Sequence, residues 1–426
     1  MQYININGGR VLGGGLSVHG AKNSVLPILA GSVLIDGESV IHNCPDLSDV
    51  KSCTNIIEKL GGSAKREGDT LCVNASDIYY SEISKELMGQ MRSSIIFLGS
   101  LSARRGRACM FLPGGCKIGA RPIDIHLRAL QSLGYKISFD GSFICCERDS
   151  ARGGAVTLPF PSVGATENTI LASALLDGRT VINNAAREPE IEDLAAFLNS
   201  AGARIYGAGS SVIEIEGVKK LNSTEHTVIP DRILASSIMS AAAAAGGEVT
   251  IKSITLSHLV PVLPVFEEMG CKLFVSKSEL KIKAPKRIKA VKSIVTGVYP
   301  SFPTDSQAPV MAALCRAKGS SIIKETIFEN RLQHAAELSR FGADIVVSDR
   351  TAVVNGVSTL HGAEAYCTDL RGGAAVIIAA LGAEGESRIY NINHVDRGYE
   401  KIEAQLSQLG ADIRRINDEK GQQVKT

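Results

Sequence analysis

Six glycines, Gly61, Gly134, Gly202, Gly270, Gly342 and Gly410, stand 73, 68, 68, 72 and 68 residues apart, and each closes the same local pattern. An amphipathic run comes first, then a small-residue turn at the glycine, then a short alternating segment. The copies read I-I-E-K-L-G-G-S-A-K, A-L-Q-S-L-G-Y-K-I-S, F-L-N-S-A-G-A-R-I-Y, F-E-E-M-G-C-K-L-F, E-L-S-R-F-G-A-D-I-V and Q-L-S-Q-L-G-A-D-I-R. A glycine just past a helical run adopts the left-handed C-cap conformation at little cost. Period-two alternation after it predicts a strand, as over 136–139 and 272–275, and a second strand follows a polar turn, as over 143–146. Such a period exceeds that of a solenoid repeat and leaves room for about two helices and several strands per copy. The fold class is therefore α/β. Six such units group as three plus three, which predicts two lobes of similar size.

Composition sets outer limits. A chain of 426 residues can build two or three domains, each with its own core. With 44 % hydrophobic and 21 % charged residues it is neither disordered nor fibrous. A net charge of +2 gives no global pull toward nucleic acid, so any anion site must be local. No apolar stretch is long enough to predict a membrane span, and the run at 233–245 reads as a buried Ala-rich helix. The N-terminus lacks a cationic start and an apolar core, so no signal peptide is expected. Ten scattered cysteines without a C-x-x-C pair predict reduced, mostly buried thiols rather than disulfides or a zinc site.

The chemistry concentrates at 113–126, P-G-G-C-K-I-G-A-R-P-I-D-I-H. Three glycines let the backbone approach a ligand, and Lys117 and Arg121 flank Cys116. Neighbouring cations favour the thiolate. A surface turn with an incidental cysteine would have the same composition. Elsewhere, Gly20-Ala21-Lys22-Asn23 precedes an apolar helix-like run, so Lys22 is either a loop lysine or a cation added to a helix N-terminus. Arg92 opens a helix predicted to run through 95–101. Pro161-Ser162-Val163-Gly164 precedes a helix expected over 169–175, either as an anion cradle or as ordinary capping. The Pro-rich turn 299–303 leads to Asp305, which could meet a substrate hydroxyl or cap a helix over 306–314. Arg331, Arg371 and Arg397 each fall between a strand end and a helix, in related loops of the repeat.

The stretch P-G-G-C-x-I-G-A-R-P-x-D-x-H resembles the active-site loop of the bacterial enolpyruvyl transferases that act on UDP-N-acetylglucosamine, and the resemblance extends from Gly20 to about Ile413. It implies a two-lobed inside-out α/β barrel of six βαβαββ units, with helices inside and sheets outside. The lobes would be 22–229, carrying Cys116 and the UDP-sugar loop, and 1–21 with 230–426, carrying Asp305 and the arginines. It implies transfer of the enolpyruvyl group of phosphoenolpyruvate to the sugar 3′-hydroxyl, with release of phosphate. Cys116, Asp305, Asp369 and Arg397 would be catalytic. Substrate contacts would come from Lys22, Asn23, Arg92, Arg121, Pro122, Ile123, Asp124, Ile125, Phe160, Pro161, Ser162, Val163, Gly164, Ile327, Arg331 and Arg371. No metal or organic cofactor is expected, because phosphoenolpyruvate is already activated. A cytoplasmic monomer in early peptidoglycan synthesis, with Cys116 open to alkylation by the epoxide fosfomycin, completes the implied picture. Gly89, Phe160, Leu234 and Ser306 depart from the commoner family pattern, which keeps a catalytically quiet UDP-sugar-binding paralogue as an alternative. Gly372 replaces the commoner Ala, with little effect expected beyond helix stability. The sister transferase that uses shikimate 3-phosphate lacks the P-G-G-C loop.

Overall fold

The computed structural model describes residues 2–112 and 123–417. All six marker glycines have positive φ, between 85° and 109°. Each ends a helix and turns the chain into a strand, as the repeat predicts. The expected strands lie at Lys136–Asp140, Phe143–Glu147 and Lys272–Val275.

The chain forms two compact units, one of residues 2–18 and 230–417, the other of 19–112 and 123–229. Each holds three four-stranded sheets with one recurring order: a parallel pair followed by two antiparallel pairings. In the sheet 293–295, 320–324, 351–355, 344–348, for example, the last two strands form the hairpin after the marker glycine. Distant strands complete three of the sheets. Gln2–Asn7 lies between Glu386–Tyr390 and Asp412–Asn417, and Leu12–Ser17 pairs with Gly247–Lys252. Leu221–Thr227 pairs in parallel with Ile35–His42.

Three helices form the centre of each unit. In one they are Arg232–Ala245, Thr304–Leu314 and Leu370–Gly382; in the other, Lys22–Ser32, Phe97–Arg105 and Val163–Ser173. Away from the polar residues near their ends and Glu167 and Asn168, these helices are built of apolar or small residues, and most of their residues are buried. Amphipathic helices such as Ser48–Lys59 and Pro189–Ser200 end just before the marker glycines Gly61 and Gly202 and pack on the core helix Lys22–Ser32. The sheets bury alternate residues and expose the others, so helices lie inside and sheets outside. Among the described residues no helix is long and apolar enough to cross a membrane.

Two expectations need correction. The helix expected over 169–175 begins six residues earlier, at Val163, because Ser162 caps it. The cysteines are not all free: Cys109 and Cys145 form a disulfide. They oppose each other across the antiparallel strands Arg107–Phe111 and Phe143–Glu147, with Cα atoms 4.2 Å apart. The remaining described cysteines are free and mostly buried, and burial pushes the thiols of Cys146, Cys271, Cys315 and Cys367 up to about 12.

Candidate active site

In the unit of residues 230–417 the charged residues gather where core helices begin. The Asp305 helix starts at Thr304, after Pro303, so Asp305 lies inside the first turn and its side chain does not cap. Its oxygens instead accept from Arg331 Nη2 at 2.7 Å and Arg371 Nη2 at 3.1 Å. The arginine side chains are only 3 % exposed, against 24 % for the carboxylate. The helix-cap expectation for Asp305 does not hold; its carboxylate is an ion-pair partner of two arginines.

Asp369 takes the capping role at the next core helix. Its Oδ1 accepts from the amides of Arg371 at 3.0 Å and Gly372 at 3.2 Å, and Oδ2 accepts from the Thr368 hydroxyl at 3.1 Å. Burial alone would raise this carboxyl, but Arg331, His334 and the two amides outweigh it and hold it below its ordinary 3.8. His334 is fully buried, with Nδ1 3.1 Å from the Arg331 carbonyl, and burial depresses it to about 4. Burial opposes the charge on Arg371, yet Asp305, Tyr399 and Asp231 more than offset it, and its pKa rises. The ring of Tyr399 lies 5.3 Å from that guanidinium, and its hydroxyl is hydrogen-bonded to the Ser237 hydroxyl at 2.8 Å. Arg397, two residues before Tyr399, is half-buried in the turn ahead of the helix Ile402–Gln408. Arg371 Nη1, Arg331 Nε and His334 Nε2 are buried with no hydrogen-bond partner among the described residues. The two arginine nitrogens are unsatisfied donors that suit an anionic ligand, whereas neutral His334, whose Nδ1–H faces the Arg331 carbonyl, presents Nε2 as an acceptor.

The other unit carries a second cationic element. Lys22 is the first residue of its core helix and is 7 % exposed. Its Nζ is 2.7 Å from Oδ2 of Asp49, itself 2 % exposed in the first turn of Ser48–Lys59. The solvated-loop alternative for Lys22 therefore falls. Asn23 follows it, half-buried. Ser24 donates to Asp193, which also accepts from His226 Nε2 at 2.8 Å and from the Ile229 amide at 3.2 Å. That buried carboxylate fixes the helix start to the end of strand Leu221–Thr227.

Ser162 accepts from the Ala165 amide at 3.4 Å as the cap of its helix, with Pro161, Val163 and Gly164 half-buried around it. Phe160 is 42 % exposed just before them. His126 approaches the same helix: its Nδ1 is 3.1 Å from Nδ2 of Asn168, and burial depresses it to about 4. Ile123 and Asp124 begin the helix Asp124–Ser132, and Ile125 lines an open groove with Arg128, Gln131, Thr157 and Pro159. Arg92 opens a 3-10 turn, Arg92–Ile96, ahead of the core helix Phe97–Arg105. Cys116, Lys117, Arg121 and Pro122 lie outside the described residues.

The structure thus brings Asp305, Arg331, Asp369 and Arg371 into one cluster. Asp49, Asp193, His334 and Glu325 are polar anchors that sequence reasoning missed. Each sits in or beside a helix or strand where a charged residue is unremarkable, so no local pattern marks it. Among the departures, a side chain at Gly89 would meet nothing within 4 Å, and Leu234 is buried in the core. At Gly372 a Cβ would stand 2.4 Å from Thr368 Oγ1 and 2.7 Å from Asp369 Oδ2, side-chain ends that would have to shift.

Comparison with known proteins gives one consistent answer. The family profile of EPSP synthase (3-phosphoshikimate 1-carboxyvinyltransferase) matches residues 6–406. UDP-N-acetylglucosamine 1-carboxyvinyltransferase 2 of Caldanaerobacter subterraneus subsp. tengcongensis is 51 % identical, over 98 % of this chain and 100 % of that one. UDP-N-acetylglucosamine 1-carboxyvinyltransferase of Myxococcus xanthus is 45 % identical, over 97 % and 99 %. In fold, the enolpyruvyl transferase NikO from Streptomyces tendae superimposes with a TM-score of 0.88 at 24 % identity, covering 97 % of this chain and 99 % of that one. EPSP synthase from Acinetobacter baumannii gives 0.74 at 16 %, over 98 % and 100 %. With six repeated units, an arginine-clamped acid at a core-helix start and relatives matched end to end, the chain belongs to the EPSP synthase family of enolpyruvyl (1-carboxyvinyl) transferases.

Proposed function

We propose that this enzyme transfers the enolpyruvyl group of phosphoenolpyruvate to the 3′-hydroxyl of UDP-N-acetylglucosamine, by addition and then elimination. The observation that carries the proposal is the Asp305 clamp: one carboxylate held by two buried arginines, each with a further donor that has no partner among the described residues. Carbon 3 of phosphoenolpyruvate gains a proton while carbon 2 bonds to the sugar oxygen. Asp305 accepts the hydroxyl proton. In the second half the bond from carbon 2 to the phosphate oxygen breaks, carbon 3 returns a proton, and phosphate leaves. Arg331 and Arg371 neutralise the substrate carboxylate, and Lys22 and Arg397 the phosphate; fixed donors in a dry site stabilise the developing charge without reorganising. Cys116 supplies the carbon 3 proton; a free thiol titrates at about 8.5, close enough to neutral pH for it to give and regain a proton. The nucleotide sugar is held by the 121–125 and 160–164 segments with Arg92. No cofactor takes part, and the product enters cell-wall precursor synthesis in the cytoplasm.

Two acceptors compete. The family profile is named for the shikimate enzyme, whereas the relatives near half identity are named for UDP-N-acetylglucosamine. The P-G-G-C loop at 113–116 favours the nucleotide sugar. Phosphate release from phosphoenolpyruvate, measured with each acceptor, decides. Release with UDP-N-acetylglucosamine alone, abolished in Cys116→Ala and partly kept in Cys116→Asp, is the expected result. Release with shikimate 3-phosphate overturns the acceptor. Saturable nucleotide-sugar binding without turnover establishes the quiet paralogue instead.

A further inference from the structure

Glu325 follows the strand Ser320–Lys324 and is 1 % exposed. Its Oε1 accepts from the Thr296 hydroxyl at 2.9 Å, the Ile327 amide at 2.8 Å and the Phe328 amide at 3.2 Å. Its Oε2 accepts from the Thr304 hydroxyl at 2.9 Å. Thr296, 2 % exposed, is bound in turn to both the amide and the hydroxyl of Thr326, at 2.9 and 2.7 Å. One buried carboxylate thereby joins three pieces of chain: the segment after strand Ser293–Val295, the 326–328 turn, and the first residue of the Asp305 helix.

Two of those pieces converge again at the clamp. Thr304 is the neighbour of Asp305, and the 326–328 turn runs directly into Arg331, which holds Asp305 at 2.7 Å. Phe328 also lies 5.6 Å under the Arg331 guanidinium. Glu325 closes the far side of a ring whose near side is the Asp305–Arg331 ion pair. A carboxylate is the side chain that fits, because four donors point at it and it accepts at both oxygens. An amide would turn two N–H groups toward one of those donors. Burying a charge is tolerated only when such bonds satisfy it.

We propose that Glu325 is a positioning residue for the transfer reaction, setting the distance between Asp305 and Arg331 through Thr304 and the 326–328 turn. The inference rests on the proposed role of Asp305. Misplacing a reacting group by about 1 Å can cost ~100-fold in rate, so the effect belongs in kcat rather than in affinity.

The test measures kcat and KM of phosphate release for the full chain and its variants, with thermal unfolding on the same samples. Thr304→Val removes only the link to the Asp305 helix; kcat should fall about 10-fold, with KM for the nucleotide sugar unchanged. Thr304→Ser restores the hydroxyl and should restore kcat. Glu325→Gln keeps an acceptor at the turn, while its amide nitrogen can donate to the Thr304 oxygen, so its loss should be smaller than that of Thr304→Val. Glu325→Ala should lose about 100-fold in kcat. Parental kcat in folded Thr304→Val and Glu325→Gln overturns the inference. A loss in Thr304→Val that Thr304→Ser does not rescue also overturns it. An inactive parent chain overturns the proposed reaction instead, which separates the two failures.

Discussion

In the unit of residues 230–417, Asp369 at the start of the third core helix is held below its ordinary value despite its burial. In the other unit, Glu167 on the third core helix is driven well above it, by burial and then by Glu190 and Glu188. The architecture is shared, so the difference is one of neighbours: Asp369 has Arg331, His334 and two amides, whereas Glu167 has two further acids. The cationic pocket is therefore a local construction at helix starts. The Lys22–Asp49 pair shows the other unit building its own charge at a different helix.

The largest way to break this contrast is Asp305→Asn. It removes the acceptor of the hydroxyl proton and the anion shared by two buried guanidiniums. Phosphate release should fall ~10²–10⁴-fold, the usual contribution of one acid–base group. Parental turnover in this variant would leave Asp305 as an ion-pair partner only.

Acid stability comes next. His334 is neutral in the fold, at about 4, while an unfolded histidine titrates near 6.5. Between those values the unfolded chain binds the extra proton, so stability falls as pH drops from 6.5 to about 4 and its contribution is complete above 6.5. The gap is worth about 3 kcal/mol from this residue alone. Asp369, held low, adds loss as pH falls below 3.8. Chemical denaturation at pH 7 and pH 5 should show the decline in the parent and a shallower one in His334→Asn, which keeps a donor for the Arg331 carbonyl. Equal slopes would remove His334 from the account.

Glu167 predicts the opposite sign. Its raised value means that the unfolded chain releases the proton first as pH climbs above 4.5, so stability declines with rising pH. Glu167→Gln mimics the protonated acid. It should raise Tm at pH 8 by about 1 °C, what ~1 kcal/mol does in a chain of this size, and leave Tm at pH 4 unchanged. A variant no more stable at pH 8 would mean that neighbouring groups already compensate the charge.

How much of this was open to a sequence reader depends on the range of the interaction. The helix–glycine–strand units are local, so the six positions were legible, and every marker glycine has positive φ. The placing of Gln2–Asn7 inside the last sheet was not, because nothing within six residues states which distant edge they meet. Cys109 and Cys145, 36 residues apart, pair through strand register rather than spacing. Of the two readings of Asp305, the helix start at Thr304 removes the cap, which the sequence alone could not do. Glu325, Asp49 and Asp193 act through partners between 2 and 169 residues away. No composition rule marks such acids in advance.

Gly372→Ala probes the contrast at its finest scale. Replacing a glycine in a helix ordinarily stabilises by up to ~1 kcal/mol. Here the new methyl would press on Thr368 Oγ1 and Asp369 Oδ2, which are themselves hydrogen-bonded at 3.1 Å. Both are side-chain ends that can rotate, so the fold should survive and the helix gain should largely cancel against the lost bond, worth about 1 kcal/mol. The consequence is in the site. Asp369 would keep its cap to the helix amides through Oδ1 while its other oxygen turns away from Thr368. Turnover should change less than about 10-fold, well under the effect of Asp305→Asn, because the Thr368–Asp369 bond and not proton transfer is what the methyl disturbs. A loss as large as that of Asp305→Asn would instead make the orientation of Asp369 as critical to the chemistry as the clamp itself.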